Sequence, residues 1–233
     1  MVKVFLDAGH GGKDPGALGN GMQEKNITLP VTLEVGKILQ RHGIKVGYSR
    51  KTDVYVSLED RANKANNFGA DIFVSIHCNA FEKPSAHGVE TYSYIGSVKG
   101  AKLAKYIHDE VIKAKLYTRN RGTKTADFYV LRKTIAPATL IELAFITNKD
   151  DANLLKTKQK EFALAIAKGI LNYFGIKYVE EKKSNTTTTS TSTSKKKLYK
   201  VQTGAFAVRE NALRQKEQLE KLGFKPIIVE VEE

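Results

Sequence analysis

Cysteine is nearly missing: Cys78 stands alone among 233 residues. One thiol cannot close an intramolecular disulfide or build a Cys-based zinc cluster. Long apolar runs are missing as well. None approaches the roughly 18 residues that a membrane helix requires, so no membrane insertion is expected. The amino terminus offers only Val2-Lys3-Val4-Phe5-Leu6 before Asp7, short of the roughly 7–15 apolar residues of a signal-peptide core. This predicts a chain made in the cytoplasm without an export signal. Helix-turn-helix, zinc-finger and aromatic RNA-binding words are also absent. That absence matters because a net charge of +13 and a pI near 9.6 imply polyanionic surroundings. With those words missing, no nucleic-acid partner is expected, and charge alone leaves the identity of the polyanion open.

What is present suffices for a globular core. Hydrophobic residues make up 41% of the chain, and the mean hydropathy of −0.35 fits a soluble protein. The composition breaks sharply from Glu180 to Lys197, where Glu-Glu-Lys-Lys leads into a Thr/Ser tract and then Lys195-Lys196-Lys197. Such a tract has nothing to bury and reads as a solvated linker. The expected organisation is therefore a catalytic-looking part over 1–178, a flexible linker over 179–197 and a short module over 198–233.

The first part alternates between strand and helix patterns. Val2–Leu6 is a compact apolar run that ends in a Gly-rich loop carrying His10. Ile27, Val31, Val35, Ile38 and Leu39 fall at helical spacing, with Pro30 expected in the first turn and Gly43 at the end. Ser57 reads as a helix cap and Gly69 as that helix's stop. Ile72–Ile76 and Val89–Tyr94 read as strands, Ala101 through Ala114 as a helix, and Phe128–Leu131 and Ala138–Phe145 as strands. Glu161–Phe174 closes the series as a helix before Gly175. Alternation of this kind predicts an α/β fold: a mixed, mostly parallel sheet with helices on both faces. Ligands in such folds gather beyond the carboxyl ends of the strands, where His10 and His77 are expected.

Four separated residues form a chemical set. Two imidazoles, His10 and His77, with the carboxylate of Glu24 can hold Zn²⁺ and leave a fourth position for water. Read singly, each has a plainer role. His10 fits a tight turn, Glu24 fits the favourable amino end of a helix, and His77 fits a core histidine satisfied by backbone. Glu142 is harder to explain away, because an unpaired carboxylate inside Thr139-Leu140-Ile141-Glu142-Leu143 is expensive. Its structural alternative is an ion pair with Arg121 or Arg132. Cys78, adjacent to His77 on a strand, should point away from a metal and act as buried filler. His42 suits a helix carboxyl end, while His87 and His108 read as surface residues.

The words Asp7-Ala8-Gly9-His10-Gly11-Gly12-Lys13-Asp14-Pro15-Gly16-Ala17, Glu24-Lys25-Asn26 and Ser75-Ile76-His77-Cys78-Asn79-Ala80 occur in that order. Over roughly its first three-quarters the chain resembles the zinc-dependent N-acetylmuramoyl-L-alanine amidases of the type-3 family, which cleave peptidoglycan. The resemblance implies one zinc ion per catalytic domain held by His10, Glu24 and His77, with Glu142 as catalytic acid/base. Gly88-Val89-Glu90-Thr91-Tyr92 and Asn120-Arg121-Gly122 also match family words. Asn79 is expected to orient a ligand or the substrate, and Arg121 either to hold a substrate carbonyl or carboxylate or to anchor its loop. The implied partner is peptidoglycan, together with anionic wall polymers that suit the charge. The chain would serve as a phage endolysin or a bacterial autolysin, reaching the wall after lysis or through a holin. The alternative class is a non-catalytic wall-binding or activator protein; loss of Glu142 or a zinc ligand would favour it, and none is lost.

After the linker, Leu198–Phe206, a helical stretch from Arg209 to Leu222 and Pro226–Val231 form a strand-helix-strand pattern. This resembles one half of a SPOR domain, a glycan-binding module built from two such units. A unit this small is expected to need a partner to fold, so a homodimer through the tail is a natural expectation.

Overall fold

Strand alternation sorts the apolar residues of the first unit into two cores. On β1 (Lys3–Ala8) Val4 and Leu6 point into the larger one, while Phe5 points into the smaller. On β5 (Ile72–Asn79) Ile72, Val74 and Ile76 join the larger core and Phe73 the smaller. Successive side chains of a strand leave opposite faces of the sheet, so both faces must be covered.

The computed structural model describes residues 1–180, 206–221, 226 and 228. Its first compact unit spans Met1–Glu181 and its second Lys182–Glu233. Along the first unit β1 is followed by a small antiparallel pair, β2 (Leu18–Gly19) and β3 (Met22–Gln23). Next come α1 (Lys25–Arg41), β4 (Lys45–Tyr48), α2 (Leu58–Phe68), β5, β6 (Val89–Ser93) and α3 (Val98–Lys113). The unit closes with β7 (Asn120–Thr125), α4 (Tyr129–Lys133), β8 (Ala138–Phe145), α5 (Lys149–Thr157) and α6 (Gln159–Tyr173). The main sheet has the order β4-β1-β5-β8-β6-β7. Its first four strands are parallel, β6 runs antiparallel to β8, and β7 lies parallel to β6. Helices α1, α3 and α6 cover one face, and α2 with α4 the other. The mixed, mostly parallel sheet with helices on both faces is thus as expected.

Local chemistry sets the boundaries. Ser57 Oγ accepts the Asp60 amide at 3.1 Å and starts α2, and Gly69 ends it at φ 65°. His42 donates through Nδ1 to Ile38 O at 2.8 Å, and its Nε2 accepts the Val179 amide, so it caps α1 as read.

Three readings are corrected. Pro30 lies in the second turn of α1, because the helix already begins at Lys25; the bond it cannot donate is the one toward Asn26. Phe128–Leu131 is not a strand, since Tyr129–Lys133 forms a helix. Val130 and Leu131 are adjacent and both buried in the smaller core, which a strand would have split between faces. His108 is buried, with Thr91 Oγ1 at 3.1 Å and Asn120 Oδ1 at 2.8 Å. In the second unit α7 (Arg209–Lys221) matches the expected helix. The Thr/Ser tract and nearly all of the strand readings at 198–206 and 226–231 lie outside the described residues. No helix among the described residues is long and apolar enough to cross a membrane.

One buried ion pair ties β1, β5 and α2 together. Asp7 meets Arg61 Nη1 at 2.7 Å and accepts from Ser75 Oγ at 2.7 Å. Burial would raise the Asp7 carboxyl, but the guanidinium and its other hydrogen bonds outweigh this and hold it below its usual range. Removing one member of such a pair strands the other charge. Arg61→Ala is therefore expected to cost about 3–5 kcal/mol in a urea titration; a loss below about 1 kcal/mol would show that the pair does not fix these elements.

Candidate metal centre

The loop after β1 is shaped by its carbonyls. Arg61 Nη2 donates to His10 O at 2.8 Å and Nη1 to Ala8 O at 2.6 Å. Arg50 donates to Ala8 O at 3.1 Å and to Gly9 O at 2.9 Å, and Lys25 Nζ to Gly12 O at 2.9 Å. Thr28 Oγ1 adds a bond to Gly9 O at 2.8 Å. Held this way, His10 sits in the left-handed region at φ 59°, a conformation that costs energy for a side-chain-bearing residue and persists only when its surroundings impose it.

Three elements meet at one point. His10 comes from this loop, Glu24 from the start of α1 and His77 from the end of β5. One donor atom from each lies within 4.8 Å of the others. Glu24 Oε2 stands 3.0 Å from His10 Nε2, and Oε1 stands 2.9 Å from His77 Nδ1. The two rings approach edge to face at 4.9 Å. Backbone amides of Ala17 and Cys78 donate to the two Glu24 oxygens at 2.9 and 2.8 Å. Asp14 Oδ2 lies 2.8 Å from His10 Nδ1, which fixes the tautomer and turns Nε2 inward, as carboxylates behind metal-binding histidines do. Asp14 was not singled out in the sequence, although a carboxylate four residues after a loop histidine was the available signal.

Close packing makes room for this set. A Cβ on Gly16 (φ +68°) would come within 2.6 Å of both Glu24 Oε2 and His10 Cδ2, and one on Gly9 within 2.4 Å of His77 Cε1. Burial alone would raise the Glu24 carboxyl, but its imidazole hydrogen bonds drive it far below the usual carboxylate range. Burial alone would lower the imidazoles; Glu24 outweighs this, raising His10 and carrying His77 up to about 9. Two imidazole nitrogens, one carboxylate and their mutual spacing suit a divalent cation of zinc's preferences.

Glu142 lies next to this group, in register with His77 across β5 and β8. Its Oε2 is sealed from solvent and has no hydrogen-bond partner among the described residues. The two ion pairs considered for it are not made: Arg121 pairs with Glu90 at 2.8 Å and Arg132 pairs with Asp127. Burial, helped by the Glu24 and Glu90 charges and opposed by His77, pushes the Glu142 carboxyl up to about 7. Glu90 is itself buried, and it gathers Asn79, Arg121 and Lys124. Arg121 and Asn79 thus reach the site's border through Glu90. Cys78 is buried in the larger core, as its filler role requires, with its thiol pushed well up by burial.

A carboxylate kept in such surroundings burdens the fold. The unfolded carboxyl titrates near 4.5 and the folded one near 7, so the folded state holds the extra proton between these values and stability falls as pH rises through that window. In chelator-treated protein, Glu142→Gln is expected to be more stable than the parent at pH 8 by roughly 1–3 kcal/mol. The difference should vanish below about pH 4.5. Equal stability at both pH values would show that Glu142 is no burden.

Comparison with known proteins agrees with this geometry. Residues 4–172 match the N-acetylmuramoyl-L-alanine amidase family (Amidase_3), and residues 177–230 match the SPOR domain. The chain is 45% identical over 234 residues to the sporulation-specific N-acetylmuramoyl-L-alanine amidase of Bacillus subtilis, covering 98% of this chain and 85% of that one. It is 44% identical over 182 residues to the endolysin of Bacillus phage SPP1, covering 75% and 66% respectively. Among solved structures, the N-acetylmuramoyl-L-alanine amidase AmiC2 of Nostoc punctiforme superposes with a TM-score of 0.71 at 38% identity, over 74% of this chain and 97% of that one. The matched segment contains all four residues of the centre, and a relative of nearly the same extent shares 45% of aligned positions; the chain belongs to the N-acetylmuramoyl-L-alanine amidase family.

Proposed function

We propose that the chain hydrolyses peptidoglycan at the amide between the lactyl group of N-acetylmuramic acid and L-alanine, using one zinc ion held by His10, Glu24 and His77 and the carboxyl of Glu142. The observation that carries this reading is Glu142: a carboxyl with one oxygen sealed and unpartnered, directly beside a three-residue set able to hold a metal. The family is generally zinc-dependent. Zinc, when bound, would polarise the scissile carbonyl and lower the pKa of water toward ~7.

The remaining work falls to side chains. Asp14 orients His10, and the cations behind the loop keep that histidine in its strained conformation. Glu142 takes a proton from the attacking water and returns it to the leaving amine nitrogen. A buried carboxyl beside the metal-binding group can serve both halves of that exchange. Asn79 and Arg121, fastened to Glu90, line the substrate's path.

Dialysis against a chelator is expected to abolish the release of amino groups from purified peptidoglycan, and added Zn²⁺ to restore it. Full activity in metal-free protein would remove the zinc assignment. Glu142→Gln is expected to keep its zinc and lose about 10²–10⁴-fold in turnover; near-wild-type rates with the metal in place would return Glu142 to a structural role.

All the residues invoked precede 178, and the first compact unit closes at Glu181. This supports residues 1–178 as the catalytic domain; the tract over 179–197 is assigned as a spacer from its composition, and the module over 198–233, which falls largely within the SPOR match, as the attachment to glycan strands. A chain ending at Tyr178 is accordingly expected to hydrolyse small soluble muropeptides as fast as the full chain. A folded but inactive truncation would contradict the division.

A further inference from the structure

The cluster around Glu90 holds more positive charge than it needs. Both Glu90 oxygens are engaged, Oε1 by Asn79 Nδ2 and Oε2 by Arg121 Nε at 2.8 Å and by Lys124 Nζ. One carboxylate thus serves two cations and leaves a surplus of one positive charge. The surplus sits on half-exposed groups, with Arg121 27% and Lys124 39% accessible. Beyond its Nε bond, Arg121 reaches His87 O only at 3.5 Å through Nη1, and its guanidinium lies 5.0 Å from the centre of the Phe145 ring. Pinned by Glu90 and stacked on Phe145, it presents donors whose direction is already fixed, which lowers the ordering cost of binding an anion.

Position decides what that anion is. His77, Glu142 and Glu90 are register partners across β5, β8 and β6. Neighbouring strands stand about 4.8 Å apart, so Glu90, on which the two cations converge, lies roughly 10 Å from His77. Extended peptide advances about 3.3 Å per residue, so a stem peptide that runs from the centre along this row would bring its second or third residue to this cationic lip. We propose that Arg121 and Lys124 form a carboxylate-binding lip that selects stem peptides bearing a free acid at the second residue after the scissile bond. The inference rests on the amidase reading above and adds a specificity to it.

The test uses two N-acetylmuramyl peptides that differ only in a free carboxyl or a carboxamide at the second stem residue, with the full-length zinc-loaded chain. The acid is expected to be favoured about tenfold or more in kcat/KM, and the preference should shrink as salt rises. Calorimetric binding of both peptides to the Glu142→Gln chain should show the same preference without turnover. Arg121→Gln and Lys124→Gln are each expected to bring the ratio toward one, mainly through KM. Lys124→Gln leaves the Arg121–Glu90 pair in place and serves if the Arg121 variant does not fold. Equal hydrolysis of the two peptides by the wild-type chain would overturn the lip while leaving the amidase reading intact. Hydrolysis of neither these peptides nor whole peptidoglycan would remove both.

Discussion

A carboxylate shut away from water must find compensation, and Glu24 finds it in two distant parts of the chain at once. Its two oxygens take the His10 and His77 imidazoles and the amides of Ala17 and Cys78. The partners come from the loop after β1 and the end of β5, so neutralising this one charge fixes those two segments and the start of α1 relative to one another. The same demand explains the glycines: Gly9 and Gly16 keep side-chain atoms out of the volume that the rings and the carboxylate share. Electrostatics and close packing therefore specify a single arrangement, and that arrangement gathers the donor atoms a metal needs.

The sheet contributes by being unevenly covered. On the face of Phe5 and Phe73, α2 and α4 seal the early parts of the central strands, burying Ala138 and Leu140. The row from His77 through Glu142 to Glu90 follows further along those strands. There the sheet face carries ionisable groups instead of a helix. The parallel strands deliver these side chains to one end, as is general for open α/β sheets.

Much of this was legible in the residues themselves. Runs such as Ile72–Ile76 and Ala138–Phe145 announced buried strands, and Ser57 and Gly69 marked both ends of α2 through capping chemistry that acts locally. The four site residues were visible because charged or ligating groups stood in apolar or Gly-rich contexts. What stayed hidden was tertiary. Phe128–Leu131 was too short a run for its period to be read, and only its packing against α2 made it a helix. The polar stretch 120–125 has no strand-like alternation, yet pairs with β6. His108 became a core residue because Thr91 and Asn120, distant in sequence, satisfy its two nitrogens. The pairing of Arg121 with Glu90, which leaves Glu142 without a cation, depends on strand register, and a single sequence does not reveal register.

That polar stretch also bears on how the protein behaves in a crowd. Among the described residues β7 is the last strand of the main sheet, paired there with β6, and an open strand edge is a template on which another chain can add. Asn120-Arg121-Gly122-Thr123-Lys124-Thr125 is poorly made for that: it carries two cations, a glycine at φ 78° and a slip in its pairing with β6. Each of these interrupts the flat, uncharged ladder that edge-to-edge growth requires. The residues that give the site its cationic border therefore also keep neighbouring copies from extending one another's sheets.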